Sequence, residues 1–501
     1  MLTDASIDAG ILSVLPPAAA IVLALLTKEV VLSLLIGILL GALCYSGGSL
    51  FGMLDTAFGM MAQKIGGNAE ILLFLGILGA LVAVVTNAGG AQAYGRWAAG
   101  KIKSRTGAQL ATAALGSLIF IDDYFNCLTV GTVMRPVTDV RGIPREKLAY
   151  LIDATAAPVC ILAPVSTWAA AVASQLADAG ISSGMGLFLQ AIPFNIYAWL
   201  TLVMVAVMCI GNRDFGPMAH AEAVYIPDNT PCTGSVHPRG RILDLLLPIA
   251  ALIVFTVAAM LRYGGYGSTA QSVATAIGAA NAPKALAAGG FCALALSFLL
   301  FIPRRLLTVR SFFESVGSGI SAMMGAVVIL ILAWTLSGIC ADLLGTGIFV
   351  GRILKDGHIP FSLLPAAVFL LGGGLSFSIG TSWGTFGILL PIAVQICLDS
   401  NQQQLLVAVV AATLAGAVFG DHCSPLSDTT ILSSAGAGCK HLAHVSTQLP
   451  YALLAGGCSL AGYLLLAFGV WPGLAVAAAG LLLGAILAGL AAYQKKTAVS
   501  P

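Results

Sequence analysis

The stretch "AVFGDHCSPLSDTTILSSAGAGC", residues 417–439, opens on the last four of sixteen largely apolar residues (405–420), yet holds Asp421, His422, Pro425 and Asp428 among six serine and threonine hydroxyls. An ionised carboxylate at the centre of a membrane helix costs at least ~3 kcal/mol, so such groups line a cavity or are paired. Pro425 removes an amide and frees a carbonyl four residues back, near Asp421, which predicts a helix that breaks here. The freed carbonyl, the two carboxylates and the hydroxyls of Ser424, Ser427, Thr429 and Thr430 together make the oxygen set that a hard cation requires. Asp421 and Asp428 are therefore predicted to bind Na+. Taken singly, each hydroxyl is as well explained by a bond to its own helix backbone; the cluster carries the reading. His422 is read two ways, as a proton exchanger near neutral pH or as a fixed donor to a carbonyl.

The rest of the chain fits a membrane setting. Of 501 residues 58% are hydrophobic and only 9% charged, with a mean hydropathy of +0.97, where soluble domains have about a quarter charged. The net charge of +2 comes without the clustered Lys and Arg that nucleic acid demands, so no nucleic-acid partner is expected. Eleven scattered cysteines show no metal or disulfide spacing, and the acidic first residues predict no cleavable signal. Runs long enough to cross ~30 Å of hydrocarbon fall near residues 10–27, 29–46, 70–88, 148–176, 187–210, 242–261, 285–303, 317–345, 403–435, 448–468 and 472–492. The expectation is an all-α polytopic membrane protein with about eleven transmembrane helices. Two further stretches, 107–137 and 362–397, are polar and glycine-containing at their centres and are expected to be re-entrant hairpins. Residues 48–63 are read as an interfacial helix or a further span.

Lys and Arg collect in 91–106, 138–147, 211–241, 304–310 and the tail. All five fall on one side if both hairpins are non-crossing, which puts the N-terminus outside and the C-terminus in the cytoplasm. The hairpins then enter from opposite sides, an inverted repeat. "FIDDYFNCLTVGTVMRPV" (120–137) pairs with "SIGTSWGTFGILLPIA" (378–393), and "DATAAPVCILAPVSTW" (153–168) with the stretch around Pro425. Paired, interrupted segments of this kind point to the midplane site of a secondary transporter. The organisation expected is 1–69 N-terminal scaffold, 70–210 first repeat with its broken helix at 148–176, 211–241 cytoplasmic linker, 242–316 scaffold, 317–468 second repeat with its broken helix at 403–435, and 469–501 C-terminal helix and tail.

Asp122, Asp123 and Asp153 join the candidate carboxylates, although Asp153 is equally readable as a residue near a helix start that complements the macrodipole. Thr381, Ser382 and Thr385, with amides near Gly380 and Gly384, suit a substrate oxygen. Tyr124 and Trp383 read as packing aromatics, and Arg135 as a snorkelling cation.

"GTSWGTFGILLPIA" and "AGAVFGDHCSPLSDTTILSSAGAGCKHLAHVSTQLPYAL", with the first-half segments above, resemble the NhaC-type sodium/proton antiporter family of the ion transporter superfamily across most of residues 70–470. The resemblance implies an elevator-like movement of hairpins and broken helices against a scaffold. It implies a site of Asp122, Asp123, Asn126, Thr129, Asp153, Ser166, Thr167, Thr381, Ser382, Thr385, Asp421, Ser424, Asp428 and Thr429, to which the residues themselves add His422 and Ser427. A homodimer is expected by the same analogy.

The function expected is Na+/H+ antiport by alternating access in the cell (inner) membrane, with no cofactor beyond the transported Na+ and H+. A Na+-coupled carrier of a small organic solute, an amino acid or carboxylate, is the alternative. From another class, an intramembrane hydrolase would use Asp421, His422 and Ser424. Adjacent helical residues point ~100° apart, so Asp421 would not orient His422, and the chain is not expected to be an enzyme.

Overall fold

In lipid every backbone amide and carbonyl must find a partner within the protein, and this chain meets that demand with helices. The computed structural model describes residues 7–27, 29–120, 122–164, 166–179, 181, 183–211, 214–225, 240–268, 272–346, 348–349, 352–353 and 360–499, among which no strand occurs. Nine helices among these residues are long and apolar enough to cross a membrane, or up to ten if the pair Val30–Tyr45 and Leu50–Gly67, bent by 119°, is one span. Residues 48–63 thus belong to a separate helix, Leu50–Gly67.

Eight of the eleven expected crossings are among the nine; 10–27, 29–46 and 148–176 are not, and the ninth, Phe361–Ile379, lies within the expected hairpin 362–397. Residues 10–27 form a 3-10 turn, Gly10–Val14, and the 13-residue helix Leu15–Thr27, about 20 Å of helix against ~30 Å of hydrocarbon. Residues 187–210 divide at the 3-10 turn Ile192–Phe194, which contains Pro193. Residues 148–176 divide into Arg145–Asp153, the single turn Ala157–Cys160 and Thr167–Asp178. Residues 403–435 divide into Leu406–Cys423 and Asp428–Ala437, with Ser424 and Ser427 extended between them. Both interruptions expected from Pro158, Pro164 and Pro425 are therefore present.

Two helix pairs precede these split helices. The first is Arg105–Leu118 with Asp123–Val140; the second is Leu364–Ile379 with Ser382–Asp399, joined by Gly380 and Thr381 alone. One apolar core gathers around the second pair, with Phe369, Leu389, Val410 and Val418. Another gathers around the first, with Phe125, Leu128, Ile431 and Leu432. The break at 424–427 lies on the seam between them.

Basic segments 91–106, 138–147 and 211–241 meet one another and the tail. Arg105 pairs with Glu222 at 2.7 Å, Lys147 with Asp214 and with Glu222 at 3.4 Å, and Gln494 of the tail donates to the Asp214 carbonyl at 2.9 Å. Within 211–241 the helix Gly216–Val224 carries Glu222; the rest of the expected linker, 226–239, and Arg213 lie outside the described residues.

Candidate ion-binding site

Three helices begin in the protein interior, and the sequence gives each an N-cap. Asp122 accepts from the Phe125 amide at 2.9 Å, Thr381 from Gly384 at 3.5 Å and Ser427 from Thr430 at 3.1 Å, which satisfies amides that a first helical turn leaves bare. The tip of the second pair needs glycine, because Gly380 has φ +71° and a Cβ there would lie 2.5 Å from the Leu426 carbonyl oxygen. The Asp428 amide closes this contact by donating to the Gly380 carbonyl at 3.2 Å.

The carboxylates at these N-termini are well supplied with donors. Besides the Asp122 cap, the Tyr124 amide donates to Asp123 Oδ1 at 3.2 Å and the Thr429 amide to Asp428 Oδ1 at 2.8 Å. The second oxygens accept side chains: Thr167 to Asp122 at 3.2 Å, Trp383 Nε1 to Asp123 at 3.2 Å, and the Tyr124 hydroxyl to Asp428 at 2.5 Å. The macrodipole favours negative charge at all three positions. Those bonds also tie the first tip to both split helices and to the second tip. Tyr124 and Trp383 are thus hydrogen-bond donors as well as packing aromatics.

Asp421 is placed differently. It sits in the last turn of Leu406–Cys423, where the dipole disfavours an anion. It is fully buried; Oδ2 accepts from the Thr429 hydroxyl at 3.1 Å, and Oδ1 has no hydrogen-bond partner among the described residues.

Asp153 ends its helix rather than starting it, which removes the macrodipole reading. Thr430, Ser433 and Gln448 donate to it at 2.9, 3.2 and 2.7 Å, and His444 Nε2 lies 4.0 Å away. The His422 ring meets the Tyr197 hydroxyl through Nδ1 at 2.9 Å and faces the Asp153 backbone. The short helix Asp428–Ala437 therefore serves every cluster, with Asp428 at the tips, Thr429 on Asp421, Thr430 and Ser433 on Asp153, and Ser434 on His444 at 2.9 Å. It packs against Asp123–Val140 backbone to backbone: a Cβ on Gly131 would lie 2.5 Å from the Gly436 carbonyl carbon. Arg135, half-buried, sets its guanidinium against Gly438 at the C-terminus of this helix; Arg145 donates to the Gly438 carbonyl at 3.3 Å.

Several candidates act on backbone instead. Asn126 donates to the carbonyls of Gly116, Ile119 and Thr155 at 2.6, 2.9 and 3.1 Å, which fixes the first tip. Ser166 donates to the Cys160 carbonyl at 2.8 Å, Ser424 to Phe377 at 2.8 Å and Thr385 to Thr381 at 2.9 Å. Thr129 and Ser382 are buried with hydroxyls that find no partner among the described residues. Absent from the expected set are Tyr197, His444 and Gln448; the spacing of His441, His444 and Gln448 along one helix face was the available signal. Ser424 and His422 are bonded elsewhere, so no hydrolytic triad forms. Among the described residues no group of three or more His, Cys, Asp or Glu side chains could hold a metal ion.

Residues 159–468 match the profile of the Na+/H+ antiporter family. The chain belongs to the Na+/H+ antiporter family. A Haemophilus influenzae protein described as uncharacterised is 39% identical to this antiporter-family chain over 485 residues, 93% of each. An uncharacterised Na+/H+ antiporter of the same organism is 36% identical over 129 residues, 22% of this chain and 27% of its own. The malate-2H+/Na+-lactate antiporter of Bacillus subtilis is 35% identical over 182 residues, 32% of this chain and 38% of its own. This member of the antiporter family is a multi-pass membrane protein and a secondary transporter, not an enzyme.

Proposed function

We propose that the chain exchanges Na+ for H+ by alternating access, and that Asp421 is the group for which the two ions compete. One observation carries this: of the carboxylates gathered here, Asp421 alone combines full burial, a helix C-terminus and an oxygen with no partner among the described residues. A charge so placed calls for a cation or a proton, and protonation removes the charge that holds the cation. Asp428 and the oxygens of Ser427 and Thr429 complete the cation's surroundings in this reading. Asp122, Asp123 and Asp153, with fuller sets of donors, hold the tips and split helices in register.

The two helix pairs act in this account as oppositely oriented re-entrant hairpins. With the split helices they form the moving part, carried elevator-fashion against the scaffold of 1–69, 242–316 and 469–501. The side on which segments 91–106, 138–147 and 211–241 meet is taken as cytoplasmic, which leaves the N-terminus outside, and a homodimer is proposed on the same footing. In support stand the matching order of pair and split helix in both halves, and the seam between two cores on which the break falls.

The test uses proteoliposomes holding no organic solute, with a pH-sensitive dye inside. A Na+ pulse is expected to move protons outward against it; no response would reject Na+/H+ exchange. A second reading, carriage of a small carboxylate with Na+, draws on the convergence of three helix N-termini and the partnerless Ser382 hydroxyl, and on the B. subtilis relative. It is favoured if Na+ moves only when malate or lactate is added.

A further inference from the structure

The arm that follows the first break, Thr167–Asp178, meets the first tip. Thr167 donates to Asp122 at 3.2 Å, and its neighbour Trp168 faces Asp123 as a hydrogen-bond donor. Trp168 is fully buried, yet its Nε1 closes no hydrogen bond among the described residues. A buried indole usually finds an acceptor, and a bare donor in a dry interior is costly. The acceptor it faces is already taken: Asp123 Oδ2 accepts from Trp383 Nε1 of the second tip at 3.2 Å. The two indoles pack together with ring centroids 5.0 Å apart, and both lie on Phe386, at 5.0 and 5.5 Å. One buried carboxylate thus has two tryptophan donors on two different elements. Trp383, on Ser382–Asp399, holds it; Trp168 stands beside it with its donor bare.

We propose that Trp168 is a positioning residue for opening of the second tip: as that tip withdraws, Asp123 exchanges the Trp383 N–H for the Trp168 N–H. This rests on the reading of the two helix pairs as transport tips and goes beyond it by naming the contact that opens. The first tip stays on the first split helix, through Asn126 to the Thr155 carbonyl at 3.1 Å and Thr167 to Asp122. The second tip turns on Gly380 and Thr381 alone. Asp428 touches both, accepting from the Tyr124 hydroxyl and donating its amide to the Gly380 carbonyl, so withdrawal of the second tip uncovers it for ion entry. A hydrogen bond to a carboxylate weighs about tenfold or more in an equilibrium. Opening without a second donor would forfeit that factor. With Trp168 in place the open and closed tip stay close in free energy, and both are populated.

Hydrogen–deuterium exchange of the second tip, read by mass spectrometry on the purified full chain, measures the open fraction. The amides of Gly380 and Thr385 report it, bonded in the closed tip to the Ser376 and Thr381 carbonyls at 2.8 and 3.2 Å. Trp383→Phe removes the closed-state donor and is expected to speed uptake there about tenfold or more. Trp168→Phe removes the open-state donor and is expected to slow uptake by a similar factor, and the double variant to return near the native rate. Tryptophan methylated on its indole nitrogen, placed at position 168, keeps the ring without the donor and is expected to slow uptake likewise. A purely structural Trp168 gives the opposite sign, because a smaller ring leaves a void and loosens the tip. Uptake that is unchanged or faster in the Trp168 variants, or unchanged in Trp383→Phe, overturns the exchange of donors. In proteoliposomes, labelled Na+ exchange across equal Na+ concentrations is expected to slow in step with uptake in Trp168→Phe; exchange at the native rate overturns the link to ion entry. A native chain that moves no protons on a Na+ pulse, while the two single variants shift uptake in opposite directions, loses the Na+/H+ reading and keeps the exchange of donors. One that moves protons, while both variants shift uptake the same way, loses the exchange of donors alone.

Discussion

Asp421→Asn keeps the side chain's shape and removes its charge, so it separates the cost of that charge from its use. Asp421 is fully buried, at a helix C-terminus, and one of its oxygens has no partner among the described residues. An ionised carboxylate so placed costs at least ~3 kcal/mol on insertion scales. In Na+-free solution the variant should therefore be as stable as a native chain with Asp421 protonated, and more stable by about 3 kcal/mol or more than one with Asp421 ionised. Na+ reverses the order. A ligand that binds only the folded state stabilises it by about 1.4 kcal/mol at ten times its dissociation constant and about 2.7 kcal/mol at a hundred times. Thermal unfolding of the purified protein, titrated with NaCl while choline chloride holds ionic strength constant, should show that rise in the native chain and none in the variant. A Na+-dependent rise of the same size in Asp421→Asn would refute the reasoning, as would a collapse of the variant without Na+.

Other outcomes follow from individual contacts. Tyr124→Phe deletes the 2.5 Å bond to Asp428 and should lower unfolding stability by about 1.5–3 kcal/mol, the worth of a hydrogen bond to a charged group. Gly436→Ala places a Cβ 2.6 Å from the Cys127 carbonyl oxygen; that overpacking should cost about 1–3 kcal/mol or more, seen as a lower melting temperature in detergent. Lys147→Met leaves Asp214 and Glu222 without their shared partner and should cost about 3–5 kcal/mol, with part of the loss recovered by adding Asp214→Asn.

The breaks were legible in the sequence because proline and glycine leave a mark that lipid makes costly to ignore. Pro158, Pro164 and Pro425 signalled interruptions, and the polar turns at Asp122 and Thr381 signalled the tips. The expected crossing at 10–27 failed as a single helix because hydropathy registers apolar residues and not a 3-10 turn such as Gly10–Val14, and the helix of 187–210 starts only at Ile196, after the turn Ile192–Phe194, for the same reason. Partner choice was the least legible part. Asp153 and Asp421 look alike in the chain, yet Asp153 meets Thr430, Ser433 and Gln448 while Asp421 meets Thr429. Gln448 stands 295 residues from Asp153, and no local pattern encodes that distance. Tyr124 and Trp383 were read through their apolar rings, although a buried phenol or indole usually finds an acceptor for its polar end.

Proton release on Na+ binding tests the central claim most directly. Calorimetric titration of the purified chain with Na+, at one pH in two buffers of different ionisation enthalpy, reports the protons released per ion bound. Competition at Asp421 predicts release in the native chain and none in Asp421→Asn. Na+ binding with no proton release, or equal release from both proteins, would contradict it.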